Sequence, residues 1–163
     1  MSSLFLFIVT NKAFFKRRKK RRNKMANVME IEIGGVVHKF KAGFKFIRAA
    51  EPIKKQKQNG TEEDVGLNYL LYSMSDGDVD ALATTLYLMN SEDENRLKKS
   101  DIEAFIEDEC EDVDALFAQV DDFLSRSNCT KQKAQRVKEN LDLMRARQKQ
   151  ALSSLGATST DNA

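Results

Sequence analysis

A catalytic or metal site in this chain would have to be built from one histidine, His38, two cysteines, Cys110 and Cys129, and two acidic clusters. A single histidine excludes multi-histidine metal centres, and two cysteines cannot supply a four-cysteine zinc site or a disulfide scaffold. The cysteines form neither a CxxC nor a cysteine–histidine motif, so they read as structural thiols of a reducing compartment. His38 lies in an alternating stretch, and the chain holds no G-x-S-x-G nucleophile motif. It is therefore expected on the surface of a hairpin, not as a catalytic base. Asp76-Gly77-Asp78-Val79-Asp80 begins like a calcium loop, but an EF-hand needs Gly at its sixth position and Glu at its twelfth. Ala81 and Tyr87 stand there, so these aspartates are expected to form a turn and cap a helix. The second cluster, Glu107 to Asp114, reads as a solvated junction between helices, with Asp112 and Asp114 near an N-terminus. A Walker A or G-x-G-x-x-G phosphate loop is absent from the sequence, and Gly34-Gly35 reads as a turn. No catalytic residue, cofactor or metal is assigned, and nothing in the sequence argues for an enzyme.

The elements that would carry these residues are legible from periodicity. Met29, Ile31 and Ile33 alternate with Glu30 and Glu32, and Gly34-Gly35 links this run to Val36–Lys41. Two alternating runs joined by two glycines predict a β-hairpin, which needs helices to lie on. Gly43 ends the strand, and Phe44 to Ala50 predicts a short helix carrying Phe44, Ile47 and Ala50, with Pro52 at its end or in a new first turn. Lys54 to Gly60 is polar and reads as a loop. Thr61-Glu62-Glu63-Asp64 would then cap a helix whose Val65–Met74 stretch is apolar on most sides, as suits the centre of a core. Val79, Leu82, Ala83, Leu86 and Tyr87 predict the next helix. Ser100 and Glu103 are spaced as a capping box ahead of Ile102, Phe105 and Ile106, with Cys110 a further candidate for that face. Val113, Leu116, Phe117, Val120, Phe123 and Leu124 give the strongest amphipathic signal in the chain.

Thr130 is placed to cap a last helix, to about Leu155, in which Ala134, Val137, Leu141, Met144, Gln148, Ala151 and Leu155 are spaced by threes and fours. This is an a/d seam weakened by its alanines and a glutamine. Val137, Leu141, Met144, Ala151 and Leu155 are the candidate partner-binding residues. The competing reading packs the same seam on the helix of Val113 to Leu124, and periodicity does not choose between them. The expected architecture is α+β and mainly α: an N-terminal β-hairpin packed on a bundle of about five or six helices. Residues 25–152 form the domain, followed by a small, polar, disordered tail at 153–163.

Charge is distributed in blocks, which the net +2 conceals. Residues 1–24 carry nine basic and no acidic groups, residues 62–122 carry nineteen acids against three bases, and residues 123–163 are basic again. The first block is not a signal peptide, because its apolar Leu4–Val9 run precedes the basic Lys16–Arg22 cluster. That run is also far too short to span a bilayer. Lys and Arg share purine-only codons, and a purine-rich tract ahead of Met25 is what a translated ribosome-binding site would give. Translation is therefore expected to start at Met25, or at Met29, leaving residues 1–24 as a disordered extension or a mis-assigned start. The alternative is a small nucleic-acid-binding regulator that uses the basic segment 16–24 to displace phosphate counterions. Against it, residues 25–163 alone are net −7, with an acidic centre that repels phosphate.

In order along the chain stand Met29-Glu30-Ile31-Glu32-Ile33-Gly34-Gly35, Lys39-Phe40-Lys41 and Gly43-Phe44-Lys45-Phe46. Val65-Gly66-Leu67-Asn68-Tyr69-Leu70 and Asp76-Gly77-Asp78-Val79-Asp80-Ala81-Leu82 follow, then Ile102–Asp108 and Asp114-Ala115-Leu116-Phe117. This succession resembles the tail assembly chaperones of long-tailed, siphovirus-type phages and prophages of Gram-positive bacteria, over about Met29 to Met144. The resemblance implies a non-enzymatic factor of the host cytoplasm, away from membranes and absent from the mature virion. Such a factor coats the tape measure protein, keeps it soluble and helps recruit tail tube subunits. In many such phages a frameshifted longer form also exists. A homo-oligomer is compatible with the sequence, and nucleic acid is not an expected partner. The acidic block is either a face complementary to basic partners or simply a solvated surface.

Overall fold

The computed structural model describes residues 27–157, with side chains described through Ser153. The extension at 1–24, its basic segment 16–24 and residues 158–163 lie outside them. The elements run β1 (Val28–Ile33), β2 (Val36–Lys41), α1 (Phe44–Ala50), a 3-10 turn (Glu51–Ile53), β3 (Lys55–Gln58) and β4 (Thr61–Asp64). There follow α2 (Gly66–Ser75), α3 (Val79–Met89), a 3-10 turn (Asn90–Glu92) and α4 (Lys99–Ala104), which passes into a π-helical turn (Phe105–Glu109). Two longer helices, α5 (Val113–Arg126) and α6 (Lys131–Ala157), complete the described residues. The fold is α+β and mainly α, with a short hairpin, β1–β2, on six helices among the described residues.

β1 and β2 pair antiparallel about Gly34-Gly35, both at positive φ (59° and 76°), the twist a two-residue hairpin turn demands. Met29 and Ile33 from β1 and His38 and Phe40 from β2 form its buried face. His38 is thus only 5% exposed, which corrects its placement on the surface. It shares the parity of Phe40, and polar groups of the Asn90–Leu97 segment meet it there, so burial leaves its ring partnered.

α3 is the most enclosed helix, burying Ala81, Leu82, Ala83, Thr85, Leu86 and Met89 beneath α1, α2, α4 and the hairpin. α2 buries Leu67, Leu70, Leu71 and Met74 but leaves Tyr69 40% exposed, so it flanks the centre instead of filling it. In α1, Ala50 is buried and Ile47 packs against the core as expected, but Phe46 and not Phe44 completes the inward face, Phe44 being 70% exposed. The cap at Asp78 stands as expected, accepting from the N–H groups of Asp80 and Ala81 after Gly77 at φ 82°. Asp112 likewise caps α5 through the Ala115 N–H, 2.8 Å away. The π-helical turn buries Phe105 and Ile106 and turns Glu107, Asp108 and Glu109 to solvent.

Three local expectations are overturned. Lys54–Gly60 is not a loop and Thr61–Asp64 does not cap α2: they pair as β3 and β4 around Asn59-Gly60. Asn-Gly is the strongest two-residue hairpin signal, and here it outweighs the low strand preference of lysine, glutamine and glutamate. The N-terminus of α4 is closed not by Ser100 and Glu103 but by the Asp101 carboxylate alone, which accepts the Lys98 N–H at 2.9 Å, since the lysine side chain at the cap has no acceptor to complete a box. Thr130 stands at the start of α6, but its hydroxyl donates back to Leu124 O at 2.6 Å. With Ser127 Oγ donating to Phe123 O, it makes a buried polar corner that folds α6 onto α5.

Candidate functional site

α6 is 27 residues long, about 40 Å at the helical rise. Only its first turns are enclosed. Ala134 and Val137 are buried (6% and 5% exposed), Leu141 is half-buried, and all residues from Asp142 through Ser153 are exposed. The seam is therefore divided: its N-terminal part packs on the α5 helix, and its C-terminal part leaves the body of the domain. The reading that packs the seam on α5 describes the N-terminal half, and the C-terminal half is exposed. Met144 is 63% exposed, and Leu143 and Leu152, off the expected seam, are 57% and 64% exposed. Ala151 is also exposed, and the Leu155 side chain lies outside the described residues.

Where α6 departs, it shares a half-open groove of about 250 Å³ with α2 and α5. Leu71 and Met74 of α2, Phe117 of α5, and Val137 and Leu141 of α6 supply its apolar walls. Three features hold this geometry. The Ser127–Thr130 corner sets the angle of α6 on α5. Asn140 Nδ2 donates to the Tyr72 hydroxyl at 3.1 Å, tying α6 to α2. Lys133 pairs with Glu51, fastening the start of α6 to the 3-10 turn that packs against α2. The rim is charged with both signs, Asp121 and Asp142 beside Lys138 and Arg145. Beyond it α6 bears Arg145, Arg147 and Lys149, while α5 presents Asp114, Asp121 and Asp122, so the groove lies on a border between basic and acidic surface. An apolar trough with a charged rim is chemically suited to receive one face of another amphipathic helix.

The residues that could have done chemistry hold the hairpin instead. His38 Nδ1 lies 3.1 Å from Asn95 O and 3.3 Å from Asp93 Oδ2. Asp93 Oδ2 accepts the Lys39 N–H at 2.7 Å and the Asn90 amide at 3.2 Å. Asn90, fully buried, also donates to Lys39 O (3.1 Å) and accepts from the Leu97 N–H (2.7 Å). Burial works to raise the Asp93 pKa, but the N–H groups of Lys39 and Asn95, the Asn90 amide and the charge of His38 outweigh it and hold the carboxyl below its ordinary value. At the hairpin's turn, Glu109 of the acidic cluster accepts the Gly34 N–H at 3.0 Å. Periodicity could not reveal this clasp, because Asn90, Asp93 and Glu109 join the hairpin across 51 or more residues.

Cys110 and Cys129 are free and half-buried. Among the described residues no group of three or more His, Cys, Asp or Glu side chains is placed to hold a metal ion. Nor is any helix among them long and apolar enough to cross a membrane.

The model of one protein family, described as phage tail assembly chaperone protein, TAC, matches residues 30–139. No curated protein and no solved structure is similar enough to this chain to match it. The matched span covers the clasped hairpin, α2, α5 and the packed start of α6, and it stops just short of Leu141 and Met144. With about two thirds of its length matched, the chain belongs to the phage tail assembly chaperone family.

Proposed function

We propose that this chaperone binds the phage tape measure protein by taking one apolar face of that long helical client into the groove between α2, α5 and α6. The observation that carries the reading is an apolar groove where α6 leaves the domain, on a helix whose next seam residue after Val137 and Leu141, Met144, is exposed. A tape measure protein is long, helical and apolar, and its seams stay wet until the tail tube encloses it. A chaperone that covers them needs a groove lined with adaptable side chains such as Met74 and a charged rim to keep the complex soluble. The role requires no bond to be made or broken, so the protein acts without catalysis. On this reading it works in the cytoplasm of the bacterial host, helps bring tail tube subunits to the client, is displaced by them, and is absent from the finished virion. Co-expression with the tape measure protein of the same phage tests it. The client is expected to stay in the soluble fraction and to co-purify with the chaperone. Equal precipitation with and without the chaperone refutes it.

A further inference from the structure

The β1–β2 hairpin has a closed edge and an open one. On β2 the Lys39 N–H donates to Asp93 Oδ2 at 2.7 Å, and the Asn90 amide donates to the Lys39 carbonyl at 3.1 Å. The main chain of Lys39 therefore points away from β1, and that of Glu30, opposite it in the register, points away from β2. By the alternation of an antiparallel pair, the N–H and C=O groups of Glu32 face the same outer edge. Among the described residues no third strand pairs with β1, and no main-chain group bonds Glu30 or Glu32 on that side. The strand is six residues long and lacks the usual guards of an edge, with no lysine, no proline and no bulge. Its charges are both negative. Glu30 and Glu32 are exposed on the outer face, the first across from Lys39 and the second across from Val37, so the hairpin itself leaves negative charge unmatched. On the inner face Ile31 is only half-buried. At the turn Glu109 meets Gly34, so the exposed Glu107, Asp108 and Glu109 extend the negative charge past the end of the edge.

We propose that β1 takes up an extended, basic segment of a partner protein as a third strand, hydrogen-bonded antiparallel to the main chain of Glu30 and Glu32. Such a segment alternates lysine or arginine with β-branched apolar residues. Its basic side chains lie beside Glu30 and Glu32 on the outer face, and its apolar ones lie beside Ile31 on the core side. Main-chain bonds to the edge supply affinity, and the alternating side chains supply the choice of partner. The acidic end of the hairpin draws a basic segment toward the edge before it docks. A second copy is the wrong occupant, since β1 laid on β1 sets glutamate against glutamate. No residue of β1 lines the groove between α2, α5 and α6, so the edge is a second surface and its argument does not rest on the client-binding reading.

The probe is an end-blocked peptide of alternating lysine and valine, matched in length to β1 and titrated into the full-length chain while NMR follows amide hydrogen exchange. With peptide roughly tenfold above its Kd, exchange at Glu30 and Glu32 is expected to slow about tenfold, because bound chains no longer expose those amides. The amides of Ile31 and Ile33, already turned toward β2, are expected to change little. Two methylated peptides test the main-chain bonds in the unaltered protein. N-methylation of the lysines removes the N–H groups that face Glu30 and Glu32 and is expected to abolish binding. N-methylation of the valines, whose N–H groups point outward, is expected to leave binding near that of the plain peptide. Glu30→Gln with Glu32→Lys is expected to weaken binding at least about fivefold, with thermal melting unchanged because both side chains are exposed. A glutamate–valine peptide is expected not to bind the parent. Absent protection, equal losses with the two methylated peptides, undiminished binding by the variant, or equal binding of the glutamate peptide overturns the proposal. So do Glu30 and Glu32 amides that are already protected without peptide, since the edge is then held by another copy or by the chain itself.

Discussion

Replacing Asn90 with alanine isolates the contribution of the clasp that fixes the hairpin. The Asn90 side chain is fully buried and makes three hydrogen bonds: to Lys39 O, to Asp93 Oδ2 and from the Leu97 N–H. Alanine removes all three and leaves a partly buried carbonyl and N–H without their partners. At roughly 1 kcal/mol net for each bond, the expected loss is about 3 kcal/mol, a hundredfold shift toward the unfolded state. For an ordered region of this size that lowers Tm by about 10 °C. Urea unfolding followed by circular dichroism gives the global figure. Hydrogen exchange supplies the local one: amides of Val28–Ile33 and Val36–Lys41 are expected to lose protection before those of α3. A variant within about 0.5 kcal/mol of the parent, or exchange that rises evenly across the fold, refutes the claim that Asn90 anchors the hairpin.

Two further perturbations follow from other contacts. A Cβ at Gly66 would lie 1.9 Å from Ala50 O and 2.7 Å from Glu51 O, both backbone atoms, so Gly66→Ala forces α1 and α2 apart. It is expected to cost about 3 kcal/mol in urea unfolding despite alanine's better helix propensity; a neutral result means that α1 yields freely. Because the folded Asp93 pKa lies below the unfolded one, the unfolded state binds the proton more readily. This contribution to stability is present above the ordinary carboxylate pKa of 3.8 and is lost as pH falls through the lower, folded value. Asp93→Asn is expected to flatten that acid limb of the stability–pH curve, and an unchanged limb contradicts the assignment.

Much of this fold is written in local pattern, and what escapes such reading is long-range. The Gly34-Gly35 hairpin, the Asp78 and Asp112 caps and the apolar face of α5 each follow from residues within one or two turns of each other. The ribbon at Lys55–Asp64 has no alternation of apolar residues to betray it, and only Asn59-Gly60 marks it. Alternation puts His38 on the face of Phe40, and what makes a buried histidine tolerable there is Asp93 and Asn95, more than fifty residues away and out of reach of local pattern. The seam of α6 was legible as a seam. Its division at Leu141 was not, because which of its turns find a partner depends on how far α2 and α5 reach along it.

The most direct test of the groove as a client site compares Met144→Asp with Leu143→Asp in quantitative pull-downs of the tape measure protein. Both residues are exposed to a similar degree, 63% and 57%, so neither change disturbs the core, yet only Met144 continues the seam from Val137 and Leu141. Burial of a methionine side chain is worth about 1.5–3 kcal/mol, so Met144→Asp is expected to weaken client capture at least about tenfold. Leu143→Asp is expected to leave capture near that of the parent. Equal effects of the two substitutions, or none from Met144→Asp, contradict the assignment of this groove.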